Sequence, residues 1–122
     1  MDEILQMQKE TVVMIDEYLD NLLPAMEKVL GELSGDMKDD TWEYLHMIID
    51  GFNWVIEAYN GTASLYKANT DRIDEAKLEA SIDLLGRGYM NKDSALVVKA
   101  LAEEGIISFL KILKEISPAL TA

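Results

Sequence analysis

Ten positions between Met1 and Leu33, namely Met1, Leu5, Gln8, Val12, Ile15, Leu19, Leu22, Met26, Val29 and Leu33, follow one another at alternating spacings of four and three, and nine of them are apolar. That period draws a stripe down one side of an α-helix, whereas a strand would scatter it over both faces. A helix of this length is about 50 Å long and cannot bury its stripe alone, so the chain must supply other helices to cover it. Pro24 sits inside the segment, where it removes one backbone donor and crowds the carbonyl of Asp20, which predicts a helix kinked or broken there.

Beyond Leu33, Gly35 and a polar loop stop the first helix, and Asp40 and Glu43 have the spacing of a capping box for a second. Trp42, Leu45, Ile49, Phe52, Ile56, Tyr59, Ala63 and Tyr66 carry that helix through Gly51 and Gly61 to about Ala68. Asn69-Thr70-Asp71 reads as a short turn holding the next N-cap, and a sparser stripe of Ile73, Leu78, Ile82, Leu85 and Tyr89 gives a third helix ending near Gly86 to Gly88. Asn91 to Ser94 caps a fourth helix, whose stripe Val98, Ala102, Ile106, Phe109, Leu113 and Ile116 runs until Ser117-Pro118 stops it. No segment alternates apolar and polar residues as a strand would. Short connections make successive helices antiparallel, so the predicted fold is all-α, a single domain over residues 1–122 in an up-down-up-down four-helix bundle.

Composition narrows the function classes. The 122 residues include 11 basic and 23 acidic side chains, a net charge of −12, one histidine and no cysteine. Without cysteine there is no disulfide framework, thiolate metal site or cysteine nucleophile. Nucleic acids and anionic membranes are bound by Lys and Arg, so this charge argues against both as partners, and Arg72 and Arg87 are the sole arginines. The opening Met1-Asp2-Glu3-Ile4-Leu5 is acidic where a secretory signal is basic, and no apolar run approaches the ~18 residues that span a membrane. A cytoplasmic location is expected. The charge is uneven: residues 1–40 hold 11 acids and three lysines, whereas residues 92–122 hold four of each sign.

Helices 2 and 4 carry more apolar surface than one core requires. At about 100° per residue, Met47, Trp54, Ala58 and Leu65 lie opposite Phe52, and Leu96, Val97, Ala100 and Ile107 lie off the stripe of helix 4. Either both helices touch two neighbours inside the bundle, or these eight residues form an interface, in keeping with the enrichment of Trp and Met at contact cores.

Glu43, His46 and Asp50 share one face, and Glu-x-x-His is the spacing of di-iron carboxylate bundles. A complete site needs two such pairs and further glutamates pointing inward, so a solvated polar strip accounts for these residues better. Glu103 and Glu104 are adjacent and point about 100° apart, which rules out a working dyad. No phosphate loop, Ser-His-Asp set or dinucleotide fingerprint is present, so neither an enzyme nor a resident cofactor or metal is expected.

Two stretches, Asp50-Gly51-Phe52-Asn53-Trp54-Val55-Ile56-Glu57-Ala58 and Lys92 to Val98 leading into Leu101-Ala102-Glu103-Glu104-Gly105-Ile106-Ile107, resemble a family of small acidic bacterial helical bundles of unknown function. In shape and charge the chain is also similar to the flagellar export chaperones. These resemblances imply a bacterial, non-enzymatic protein. The functional expectation is a protein-interaction module, a homodimer or adaptor, with two alternatives: a chaperone-like binder of an amphipathic partner helix, and a metal-binding bundle using Glu43, His46 and Asp50.

Overall fold

The structure, a computed structural model, describes residues 2–122. It is an all-α four-helix bundle, with no strand among the described residues. Helix α1 spans Asp2–Ser34, α2 Thr41–Asn69 and α3 Glu75–Met90, while the fourth helical segment is divided into α4, Ser94–Val98, a π-helical turn, Lys99–Glu103, and α5, Ile106–Thr121. Gln8 lies beside Gly61 and Glu32 beside Thr41, so α1 and α2 are antiparallel. Helix α3 returns along α2, from Glu75 at Tyr59 to Tyr89 at His46. Helix α5 descends along α1, where Lys111 meets Glu27 and Lys114 meets Asp16. The most extensive packing of α1 is against α2 and α5, which makes it the shared wall of the core.

The α1 stripe is buried from Val12 to Leu33, and Met1, its first expected position, lies outside the described residues. The helix is not broken at Pro24. Pro24 and Asp20 both face solvent, so the carbonyl deprived of its partner is open to water. In α2 the buried series is Leu45, Ile48, Phe52, Val55, Tyr59, Thr62 and Tyr66, while Trp42, Ile49, Ile56 and Ala63 of the expected stripe are half-buried. The deepest contacts run between α2 and α5: the Tyr59 and Phe109 rings meet edge to face at 5.1 Å, and the Tyr66 and Ser117 hydroxyls meet at 2.7 Å. Thr41, Thr62, Ser81 and Ser117 are the buried polar side chains among the described residues, and each is hydrogen-bonded. Burial without unpaired polar atoms lets the apolar contribution, ~1.5–3 kcal/mol per fully buried aliphatic side chain, stand undiminished.

Four expectations are corrected. The fourth helix is interrupted, because the π-helical turn closes with Glu104 donating to the Lys99 carbonyl and Gly105 then adopts φ 104°, a left-handed conformation that suits glycine. Pro118 does not end α5, which continues to Thr121. Helix α3 passes through Gly86 and Gly88 to Met90, and it is capped by Asp74, whose side chain accepts from the Lys77 amide, rather than within Asn69-Thr70-Asp71. Gly88 is needed where it stands: an added Cβ would lie 2.8 Å from Val97 Cγ2 and 3.0 Å from Val97 N, so α3 and α4 can touch there only without a side chain. Asp40 makes no side-chain cap for α2; Thr41 Oγ1 instead accepts from Lys38 N and donates to Glu32 Oε1, tying the loop to α1.

Candidate functional site

The eight residues proposed for an interface separate. Val97 and Ala100 are fully buried and Ile107 nearly so, while Leu96 is half-buried. The turn at 99–105 re-registers the segment, so residues that share an outer face on an uninterrupted helix point instead into the α1, α3 and α5 interior. On α2, Ala58 and Leu65 are half-buried against the core, whereas Met47 and Trp54 are exposed. Of the eight, the three buried residues are all in the fourth helical segment, and the two exposed ones are both on α2.

What joins Trp54 is on α1. Ile4, Met7 and Met14 are exposed, Met7 and Met14 at 66% and 53%, beside Trp54 at 36%. Two shallow depressions follow the line between the helices, one walled by Ile4, Met7, Thr11, Ala58 and Gly61, the other by Met14, Tyr18, Asn21 and Trp54. The Tyr18 and Trp54 rings meet edge to face at 5.4 Å. Gly51 opens room for that contact, since a methyl group there would run into the Tyr18 hydroxyl. At the other end Gln8 Nε2 donates to the Gly61 carbonyl at 3.2 Å, and nothing stands over Gly61 within 4 Å. The strip runs from Ile4 to Asn21, about 25 Å along α1.

Acidic residues border it on both sides. Glu3, Glu10 and Glu17 on α1 and Asp50 and Glu57 on α2 are all exposed and stand seven residues apart in each helix, while Glu43, the next step along α2, is level with Lys28, past the end of the strip. Asp50 has His46 Nε2 at 3.5 Å; among the described residues no lysine or arginine makes an ion pair with the other five. The acids on the opposite flank of α1 are compensated. Lys114 Nζ lies 2.7 Å from Asp16 Oδ1 and 2.8 Å from Asp20 Oδ1, and these hydrogen bonds raise its pKa above the ordinary lysine value. Lys111 lies 3.4 Å from Glu27.

Two other regions have internal explanations. His46 is exposed between Asp50 and Tyr89, whose hydroxyl is 3.1 Å from Nδ1. Among the described residues no group of three or more His, Asp or Glu side chains is arranged to hold a metal ion. Beside His46, the Lys92 ammonium sits 4.3 Å from the Tyr89 ring centre and 5.2 Å from that of Trp42. Lys92 has φ 52°, so the turn after α3 folds its own cation onto these rings and fills the space an outside cation would take. The cleft between α3 and the start of α5 is lined by Arg72 and Lys77 and by Asp74, Glu103 and Glu104, so the chain itself sets charges of both signs in it.

Ile4, Met7, Met14 and Tyr18 are absent from the sequence-based surface. Their signal is a second series of three- and four-residue steps, Ile4, Met7, Thr11, Met14 and Tyr18, one position ahead of the core stripe and flanked by the acids at 3, 10 and 17. The stronger stripe beside it masked this one.

No curated protein and no solved structure matches this chain. The sequence model of one family does, over residues 10–116, a span that holds Met14, Tyr18 and Trp54 together with the bordering acids Glu10, Glu17, Asp50 and Glu57. The chain belongs to that family, described as a domain of unknown function (DUF8042).

Proposed function

We propose that this domain is a non-enzymatic protein-interaction module whose contact surface is the outer face of α1 and α2. The observation that carries the reading is the exposed apolar strip of Ile4, Met7, Met14 and Trp54, placed over an already complete core. Large apolar side chains that gather on one face, rather than being scattered, mark contact surfaces. Methionine suits such a surface because its unbranched thioether adapts to a partner's shape. The same reading takes the domain as a cytoplasmic adaptor.

Placing a photo-crosslinking amino acid at single positions in the native cells tests it. Positions 14 and 54 should give discrete adducts, while positions 80 and 119, exposed elsewhere on the bundle, should not. Equal adducts from all four positions, or none from 14 and 54, would overturn the reading.

A further inference from the structure

We infer that the partner seated on this face is a basic amphipathic helix of about 17 residues, with Lys or Arg repeating every seven residues along both edges of its apolar stripe. This rests on the contact surface proposed above and specifies its occupant. The floor is apolar and about 25 Å long, which is the length of such a helix at 1.5 Å per residue. Its borders are Glu3, Glu10 and Glu17 of α1 and Asp50 and Glu57 of α2, spaced seven apart in each helix and so repeating about every 10 Å. A helix lying along the floor presents its own residues seven apart at the same interval, so each lysine or arginine along its edges can meet one carboxylate in register.

The pattern of compensation in the molecule supports this occupant. Where α1 meets α5, the fold supplies Lys111 and Lys114 to the acids at 16, 20 and 27. Along the strip from Ile4 to Asn21 no lysine or arginine pairs with the outer acids among the described residues, and Lys28, farther along the same seam, lies over the Tyr44 ring instead. A second copy of this chain is a poor occupant for the same reason. It carries a net charge of −12 and would bring the acidic borders of one copy against those of the other. Nucleic acid and anionic lipid present the same sign of charge and are excluded with it.

Two synthetic 18-residue helices serve as probes, both with a leucine stripe, one edged with lysine and the other with glutamate. Their binding is followed by fluorescence anisotropy of the labelled peptide at about 0.15 M salt. The lysine peptide should bind at least ~10-fold tighter than its twin. The triple substitution Glu10→Gln, Glu17→Gln, Glu57→Gln should weaken it at least ~5-fold, whereas Asp39→Asn, Asp71→Asn, Glu79→Gln, an equal loss of charge away from the groove, should change it less than ~2-fold. Circular dichroism confirms that both triple variants remain folded. Equal weakening by the two triples would reduce the effect to general attraction and overturn the inference. Equal affinity for both peptides, each lost in Met14→Asp, would overturn the basic partner while leaving the contact surface standing. A dimeric mass in light scattering that reverts to monomer in Met14→Asp would do the same, with a second copy as the occupant. Failure of both peptides to bind would also overturn the inference, and the crosslinks at positions 14 and 54 then decide the contact surface separately.

Discussion

The two flanks of α1 are made from one helix and treated in opposite ways. On the flank toward α5, the core stripe is covered and acids meet lysines; on the outer flank beside α2, methionines stand in solvent and, among the described residues, the acids make no ion pair with lysine or arginine. Helix propensity and net charge cannot account for the difference, because neighbouring residues share both. Ile15 is fully buried and Met14 is not; Asp16 is paired and Glu17 is not. The closed flank is explained by the monomer. The open one has a composition the monomer does not use.

Truncating the adjacent pair gives the largest contrast. Ile15→Ala should destabilise by about 2–5 kcal/mol, since it removes buried methyl groups and leaves a cavity between helices. Met14→Ala removes a comparable volume from an exposed site and should cost less than ~0.5 kcal/mol. Urea unfolding of both variants checks this. A loss above 2 kcal/mol in Met14→Ala would mean that the outer strip belongs to the core of the monomer.

Glycine substitutions sharpen the same division. At Gly88, on the closed side, a methyl group meets the backbone and side chain of Val97, and Gly88→Ala should cost roughly 1–3 kcal/mol as α3 and α4 are forced apart. At Gly61, on the open side, a methyl group meets nothing, and Gly61→Ala should stabilise α2 by about 0.5–1 kcal/mol. Thermal melts that moved in the same direction for both would break the comparison.

How far these two sides were legible follows from what each demands of the sequence. The α1 core stripe repeats nine apolar residues and is the longer of the two series on that helix, so its helix and its buried face follow from spacing alone. Helix 4 misled because Gly105 stands in an apolar stretch whose three- and four-residue steps carry straight across it. Whether such a glycine is helical or left-handed depends on tertiary contacts, here Ser81 donating to the Glu104 carbonyl. The π-helical turn and that dihedral together place Val97, Ala100 and Ile107 in the core. Trp54 was recognisable as a surface residue because it lies opposite Phe52 on α2, whereas its companions on α1 belong to a different helix and meet it only through the packing of Tyr18 on Gly51.

Alkaline titration probes the closed side alone. Burial, reinforced by the Glu75 carboxylate, raises the Tyr59 pKa beyond the ordinary tyrosine range, and burial also raises that of Tyr66. The Lys114 pKa is raised by its bonds to Asp16 and Asp20. Each group keeps in the folded state a proton that the unfolded chain releases above about pH 10, so stability is intact below that pH and falls as pH rises through the raised values. The slope is at most about 1.4 kcal/mol per pH unit for each group. Tyr59→Phe should therefore flatten the decline in melting temperature between about pH 9 and 11. An unchanged slope would show that Tyr59 ionises as freely in the bundle as in the unfolded chain.

The smallest effect is the most discriminating, because it compares two neighbouring carboxylates. Asp16→Asn leaves Lys114 with Asp20 as its remaining ion-pair partner and should destabilise by about 0.5–1 kcal/mol, the range of a partly exposed ion pair. Glu17→Gln breaks no ion pair and removes one charge from a helix crowded with acids, so it should leave stability unchanged or raise it by a few tenths of a kcal/mol. Added monovalent salt should narrow the gap, since it screens both the attraction at Asp16 and the repulsion at Glu17. Chemical denaturation at low and high salt reads out both signs. If Glu17→Gln destabilised the domain as much as Asp16→Asn, the outer acids would be contributing to the monomer's own stability. If it stabilised, the folded chain would be carrying those charges at a cost, as a surface kept for a cationic partner does.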